Sequence, residues 1–311
     1  MVDSATAITV FELRPNWAGR VKAFGLAAAW LALWAALLAA TSYGLVRIGL
    51  LPAAMLHSGN PPGMTPGDFE LAHMAVALVT VVATVFMAWI TREKLTRLGF
   101  ARSGVGRDLA IGLITGLMLM TGTLALMAAV GVFAFGPVVL PASRIAFEAM
   151  RYVPLFVLVG VAEELWFRSF TLVQLSRALS FWPAAVLTSG VFALSHTANI
   201  GENPSGLFAA GAGGLVLAYS FRRTGALWFA IGFHAAWDYA ESFLFGAADS
   251  GGVLPIATLM RPSIHGPYWL TGGTAGPEGS VLVYVALFFL ALIVRFVLPD
   301  RSSRIREVGE G

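Results

Sequence analysis

Cysteine is absent from the 311 residues, so disulfides, thiolate metal ligands and a cysteine nucleophile are excluded together. Charge is scarce as well. Asp, Glu, Lys and Arg make up 12% of the chain, about half the share usual in a soluble globular domain. No internal repeat, low-complexity tract or composition shift is visible, so residues 1–311 read as a single membrane domain. What the chain has instead is 58% hydrophobic residues, many in runs long enough to cross a hydrocarbon core, which takes roughly 20 residues as a helix.

These runs lie near 21–45, 71–91, 108–134, 152–175, 183–200, 206–221, 225–245 and 280–298. The expectation is an all-α polytopic membrane protein, a bundle of about eight transmembrane helices. The first run is too long and too late for a cleaved signal peptide and reads as the first helix. Short cytoplasmic segments concentrate Lys and Arg. With both termini placed in the cytoplasm, 15 of the 20 basic residues fall inside, including Arg14, Arg20, Lys22, Arg92, Lys94, Arg304 and Arg306. The net charge of +3 thus reflects topology and contact with anionic lipid headgroups, and no nucleic-acid partner is expected. A bacterial plasma membrane fits this pattern.

Two outer loops are rich in Gly and Pro: "LHSGNPPGMTPGDF" and "GAADSGGVLPIATLMRPSIHGPYWLTGGTAGPEGS". The second has little helical pattern, and its Pro267, Tyr268, Trp269 and Leu270 argue that it packs on the membrane face or over a cavity. Within the spans, Met118, Met120 and Met127 read as packing. Gly206, Ala210 and Gly214, four apart, read as a small-residue ridge that serves as scaffold. His57, His73 and His265 read as structural or interfacial.

Ionisable groups inside apolar spans are costly and face a bundle interior or a water-filled cavity, which makes each a candidate site residue. The run "LVGVAEELWFRSF" carries Glu163, Glu164 and Arg168. Glu164 and Arg168 are four apart, the favourable order for an ion pair along one helix face. Glu163 points about 100° away from that pair and is left free for chemistry. "SGVFALSHTANIG" carries Phe192, His196 and Asn199, and "AIGFHAAWDYAESF" carries His234 and Asp238 on one face. Glu241, near the end of that helix, is expected to be solvated.

Three motifs then stand in order on separate spans: "EELWFR" as EExxxR, "FALSH" as FxxxH and "HAAWD" as HxxxN/D. With them the chain resembles the CPBP family of intramembrane proteases, also called the Abi family, which is similar to the type II CAAX prenyl proteases. The likeness covers a core from about 150 to 245. "GPYWLTGGTAGPEGS" and "LTRLGF" also look like segments of bacterial members.

The resemblance implies hydrolysis of a peptide bond within the membrane. Glu163 would act as general base on a water, with His196 holding that water or sharing the proton. His234 and Asp238 would stabilise the oxyanion. Glu164 and Arg168, with Phe192 and Asn199, would support the site. Many relatives carry asparagine where this chain has Asp238, and an ionised aspartate cannot donate to an oxyanion. Asp238 could be protonated and donate, it could position His234, or Glu163, His196, His234 and Asp238 could bind Zn2+. The family is described both as metalloproteases and as metal-independent glutamate proteases. The implied substrate is a membrane-embedded or lipidated, CAAX-like peptide or protein. Two rival classes are a proton-coupled transporter, whose sites use the same buried groups, and a catalytically silent binding protein of the bacteriocin-immunity type.

Overall fold

The computed structural model describes residue 11 and residues 15–56, 63–252 and 254–301. His57, Arg14, Arg304 and Arg306 lie outside the described residues.

Helix α1 (Trp17–Arg47) starts where the Asn16 side chain accepts the Gly19 N–H at 3.0 Å. Helix α2 (Pro66–Thr91) starts from a reciprocal Thr65–Asp68 cap with proline in the first turn, which satisfies backbone donors that would otherwise be orphaned. Then follow α3 (Val105–Ala129) and α4 (Ala142–Arg168). Ser169 separates α4 from α5 (Phe170–Leu179), and its hydroxyl donates to the Leu98 carbonyl at 2.8 Å. Helices α6 (Phe181–Ser195) and α7 (Pro204–Thr224) are joined by a tight corner. Helix α8 (Trp228–Asp238) runs on through a π-helical turn, Tyr239–Leu244. The short α9 (Tyr268–Thr271) sits in the outer loop before α10 (Val283–Phe296).

The chain is thus an all-α polytopic membrane protein. Helices α1, α2, α3 and α7, and the α4–α5 stretch, are long and apolar enough to cross a membrane. The three remaining expected spans fold as shorter helices: α6 has 15 residues, α8 has 11 before its π turn, and α10 has 14. At about 1.5 Å per residue, a 15-residue helix covers roughly 22 Å, short of the ~30 Å hydrocarbon thickness. The fourth expected span, 152–175, is instead two helices, and α4 begins ten residues earlier at Ala142. That early part is held by charge: Arg151 Nε lies 2.7 Å from Glu70 on α2, and the fully buried Glu148 pairs with Arg144 and Arg151.

Helix α8 lies between α3 and α4. A Cβ at Gly112 or Gly116 of α3 would overlap the carbonyl oxygens of Phe229 and Phe233, and one at Gly160 of α4 would lie 3.0 Å from the Ile231 carbonyl. Backbone therefore rides on backbone, as small-xxx-small spacing permits. The α3 glycines stand in "GLITG", a spacing in a span that the sequence reading leaves without a motif. Beneath them Met120, Leu124 and Met127 are fully buried against Phe229, Trp237 and Leu290. Met118 differs from expectation: it is 65% exposed, on the outward face of α3. Leu78, Val82, Val85 and Phe86 of α2 form a similar exposed apolar face, the composition that lipid covers.

The outer loop is not structureless. Ser263–Ile264 (β2) pairs antiparallel with Phe133–Ala134 (β1), Phe133 opposite Ile264. Tyr268 and Trp269 face outward, more than half exposed. The loop's two ends turn inward and close over a cavity.

Candidate active site

The cavity has a volume of about 220 Å3 and is lined by Glu163, His196, His234 and Asp238 together with Asp249 and Glu278. Three helices deliver the motif residues and a fourth closes the wall. Helix α4 brings Glu163, Glu164 and Arg168, α6 brings Phe192 and ends at His196, and α8 brings His234 and Asp238. Helix α7 closes the wall with Ala210 and Gly214.

His234 is the hub. Its Nδ1 lies 3.1 Å from Glu164 Oε1, and its Nε2 lies 3.3 Å from Glu163 Oε2 and 3.7 Å from Asp238 Oδ2. Glu164 Oε1 also accepts from Arg168 Nη1 at 2.8 Å, both side chains being fully buried. The pair expected between Glu164 and Arg168 is therefore present, but it is not a separate strut. A carboxylate at Nδ1 requires that nitrogen to carry the proton and fixes the ring's orientation. Glu163 reaches the cavity: its side chain is 31% exposed, whereas Glu164 has no exposure.

Phe192 holds the assembly from the other side. Arg168's guanidinium carbon lies 4.3 Å over its ring centroid. His196 and His234 meet the same ring edge-on, at 4.7 and 6.1 Å between centroids. A desolvated cation over an aromatic face is worth up to about 2 kcal/mol, so Phe192 compensates part of the charge on Arg168 that a single carboxylate leaves. His196 Nδ1 lies 2.8 Å from the Phe192 carbonyl. A carbonyl only accepts, so Nδ1 carries the proton and Nε2 of a neutral ring is the acceptor.

Other expectations shift. Asn199 donates to the Ser250 carbonyl at 2.8 Å, which ties the α6–α7 corner to the outer loop. His73, read as structural or interfacial, lines the cavity, with Nδ1 2.8 Å from the Phe69 carbonyl. The glycine ridge on α7 is part of the site rather than plain scaffold: a Cβ at Gly214 would lie 2.7 Å from Arg168 Nη2 and 3.3 Å from Phe192. Glu241, expected to be solvated, has no exposed surface, because the π turn rotates it inward instead of letting the helix end there.

Sequence reasoning missed Asp249, Ser250 and Glu278. Ser242 donates to Asp249 at 2.7 Å, Trp237 Nε1 donates to Glu278 Oε1 at 2.7 Å, and the Ser250 hydroxyl donates to the other Glu278 oxygen. Burial and the neighbouring Glu278 carboxylate push Asp249 up to about 7. A signal did exist, since these two are the only acids between Gly246 and Leu282. Loop residues have no period to reveal a shared face.

Among the described residues, the set of three whose ligand atoms all lie within 4.8 Å of one another is Glu241, Asp249 and Glu278.

Fold and cavity together define a polytopic helical membrane protein with a carboxylate–imidazole site between its helices. Residues 145–240 match the Rce1-like family, described as type II CAAX prenyl endopeptidase Rce1-like. The matched segment runs from the start of α4 to just past Asp238, so it contains all three motifs, and over it the resemblance to the CPBP family holds. The match supports, in general terms, an intramembrane protease of the CAAX type acting on a membrane-associated protein. No curated protein and no solved structure matches the chain.

Proposed function

We propose that the chain is an intramembrane endopeptidase that cuts a membrane-anchored or C-terminally lipidated peptide, using Glu163 as the base and no metal in the bond-breaking step. The observation that carries this reading is the unequal setting of the adjacent glutamates. Glu164 is committed to Arg168 and His234, while Glu163 faces the cavity from the other side of the same imidazole.

In this reading Glu163 takes a proton from a water held at His196 Nε2. The resulting hydroxide adds to the scissile carbonyl, and His234, held as the imidazolium among Glu163, Glu164 and Asp238 with its Nδ1 proton anchored on Glu164, donates from Nε2 to the oxyanion. Collapse of the tetrahedral species breaks the C–N bond, and the proton held by Glu163 passes to the leaving amine. Asp238, beside His234 Nε2, positions that ring, which needs an acceptor and suits aspartate as well as asparagine. In this reading Nε2 of His234 carries a proton, which leaves that ring no lone pair for a metal. Both termini are assigned to the cytoplasmic side, so that the cavity opens toward the outer loop.

The test is cleavage of a mixed library of lipidated and unlipidated peptides by the purified protein in detergent, with and without the zinc-selective chelator 1,10-phenanthroline. Cleavage that survives the chelator is expected. Loss under the chelator with recovery on zinc addition would make the enzyme a metalloprotease, and absence of any cleavage would leave a transporter or silent binder.

A further inference from the structure

Glu241 poses a problem that the proteolytic site does not solve. Its side chain has no exposed surface, and neither carboxylate oxygen has a hydrogen-bond partner. The charged groups acting most strongly on it are Glu278, Asp249, Asp238 and Glu202, all of the same sign. Among the described residues, none of Glu241, Asp249 and Glu278 is in an ion pair with lysine or arginine. A buried carboxylate without a partner costs several kcal/mol, and here it lies beside two half-buried acids, Asp249 and Glu278, of the same sign.

Their placement is that of a built site. One ligand oxygen from each of Glu241, Asp249 and Glu278 lies within 4.8 Å of the others. Asp249 and Glu278 are oriented by neutral donors, Ser242 on the first and Trp237 with Ser250 on the second. A carboxylate has about four lone-pair positions, so these bonds leave room for a cation, and such outer partners typically fix metal ligands. Glu241 rides on the π turn Tyr239–Leu244, a distortion often found at functional sites. An all-oxygen set of carboxylates suits a hard divalent cation. Calcium accepts a flexible cage of protein oxygens, whereas magnesium demands near-ideal octahedral geometry, keeps several waters and is rarely held by an all-protein cage.

We propose that Glu241, Asp249 and Glu278 bind a calcium ion at a second site, beside the His234 cluster, which fastens both ends of the outer loop to the end of α8 and so forms the lid of the cavity. The proposal stands apart from the proteolytic reading.

The test uses the full chain in detergent, stripped with a chelator and then titrated with calcium chloride, reading thermal unfolding and radioactive calcium binding. Wild type is expected to bind one ion and to gain about 5 °C in Tm at saturating calcium, as ligand binding to the folded state requires, with a smaller gain for magnesium. Asp249→Asn and Glu278→Gln each lose the binding and the gain; asparagine keeps an oxygen for the Ser242 hydroxyl, and glutamine keeps one for Trp237 Nε1 while Ser250 turns to accept from its amide, so either variant suffices if the other fails to fold. Glu163→Gln keeps both. No calcium binding by wild type, an unchanged response in both loop variants, or loss in Glu163→Gln would overturn the site, and a larger gain with magnesium would overturn the choice of ion.

Discussion

Glu163 and Glu164 are covalent neighbours whose side chains reach opposite nitrogens of one imidazole. Helix geometry sends them about 100° apart, and the crossing of α4 over α8 places His234 between the two directions. Arg168 is fully buried, with Nε and Nη2 lacking hydrogen-bond partners, so its charge depends on Glu164 and the Phe192 ring. Glu164→Ala should cost about 3–5 kcal/mol, the usual penalty for leaving a buried charge unpaired, measured as lost Tm or yield of folded protein. Glu163→Ala should cost little, since it empties a cavity-facing position. Equal Tm values for the two variants would remove the distinction between them. Spacing within one helix made the Glu164–Arg168 pair legible in the sequence, and likewise His234 with Asp238. The Glu164–His234 bond was not legible, because it spans 70 residues and depends on how closely two helices approach.

That approach belongs to the elements. Gly112 and Gly116 let α3 lie on the backbone of α8, and Gly160 does the same for α4. Gly112→Val should therefore abolish stable folding, since its side chain meets the Phe229 carbonyl rather than a movable group. Gly122→Ala, with nothing within 4 Å of the new Cβ, should be neutral or slightly stabilising, as alanine is the better helix former. Thermal melts of the two variants check this, and a stable Gly112→Val would mean that α3 and α8 do not touch there. The α6–α7 corner carries a pH dependence. Burial raises Glu202 above the ordinary carboxylate range against the opposing hydrogen bond from the Asn203 N–H, and Glu278 adds to the rise. The folded state then binds the extra proton, so this contribution to stability is full below the ordinary carboxylate pKa and is lost as pH rises through the raised value. Glu202→Gln should flatten that part of a Tm–pH profile, and an unchanged slope would contradict the assignment. Hydrophobic runs revealed the helices but not their ends. The break at Ser169 and the π turn after Asp238 are set by contacts with Leu98 and the outer loop, which no periodicity records.

For the whole molecule, the natural lack of cysteine permits a direct test of the proposed orientation. A single reporter at Lys94→Cys, in an exposed turn between α2 and α3, should react with an impermeant maleimide only in permeabilised cells, whereas His265→Cys in the exposed outer loop should react in intact ones. The opposite pattern would invert the topology. The central claim is that the cavity hydrolyses peptide bonds with Glu163 as base, and the most direct measurement is kcat for wild type and Glu163→Gln on one cleaved peptide, with Tm measured on the same samples. The account predicts a fall of about 10²–10⁴-fold in kcat, the usual contribution of a general base, with Tm unchanged. Turnover by Glu163→Gln at the wild-type rate would contradict it.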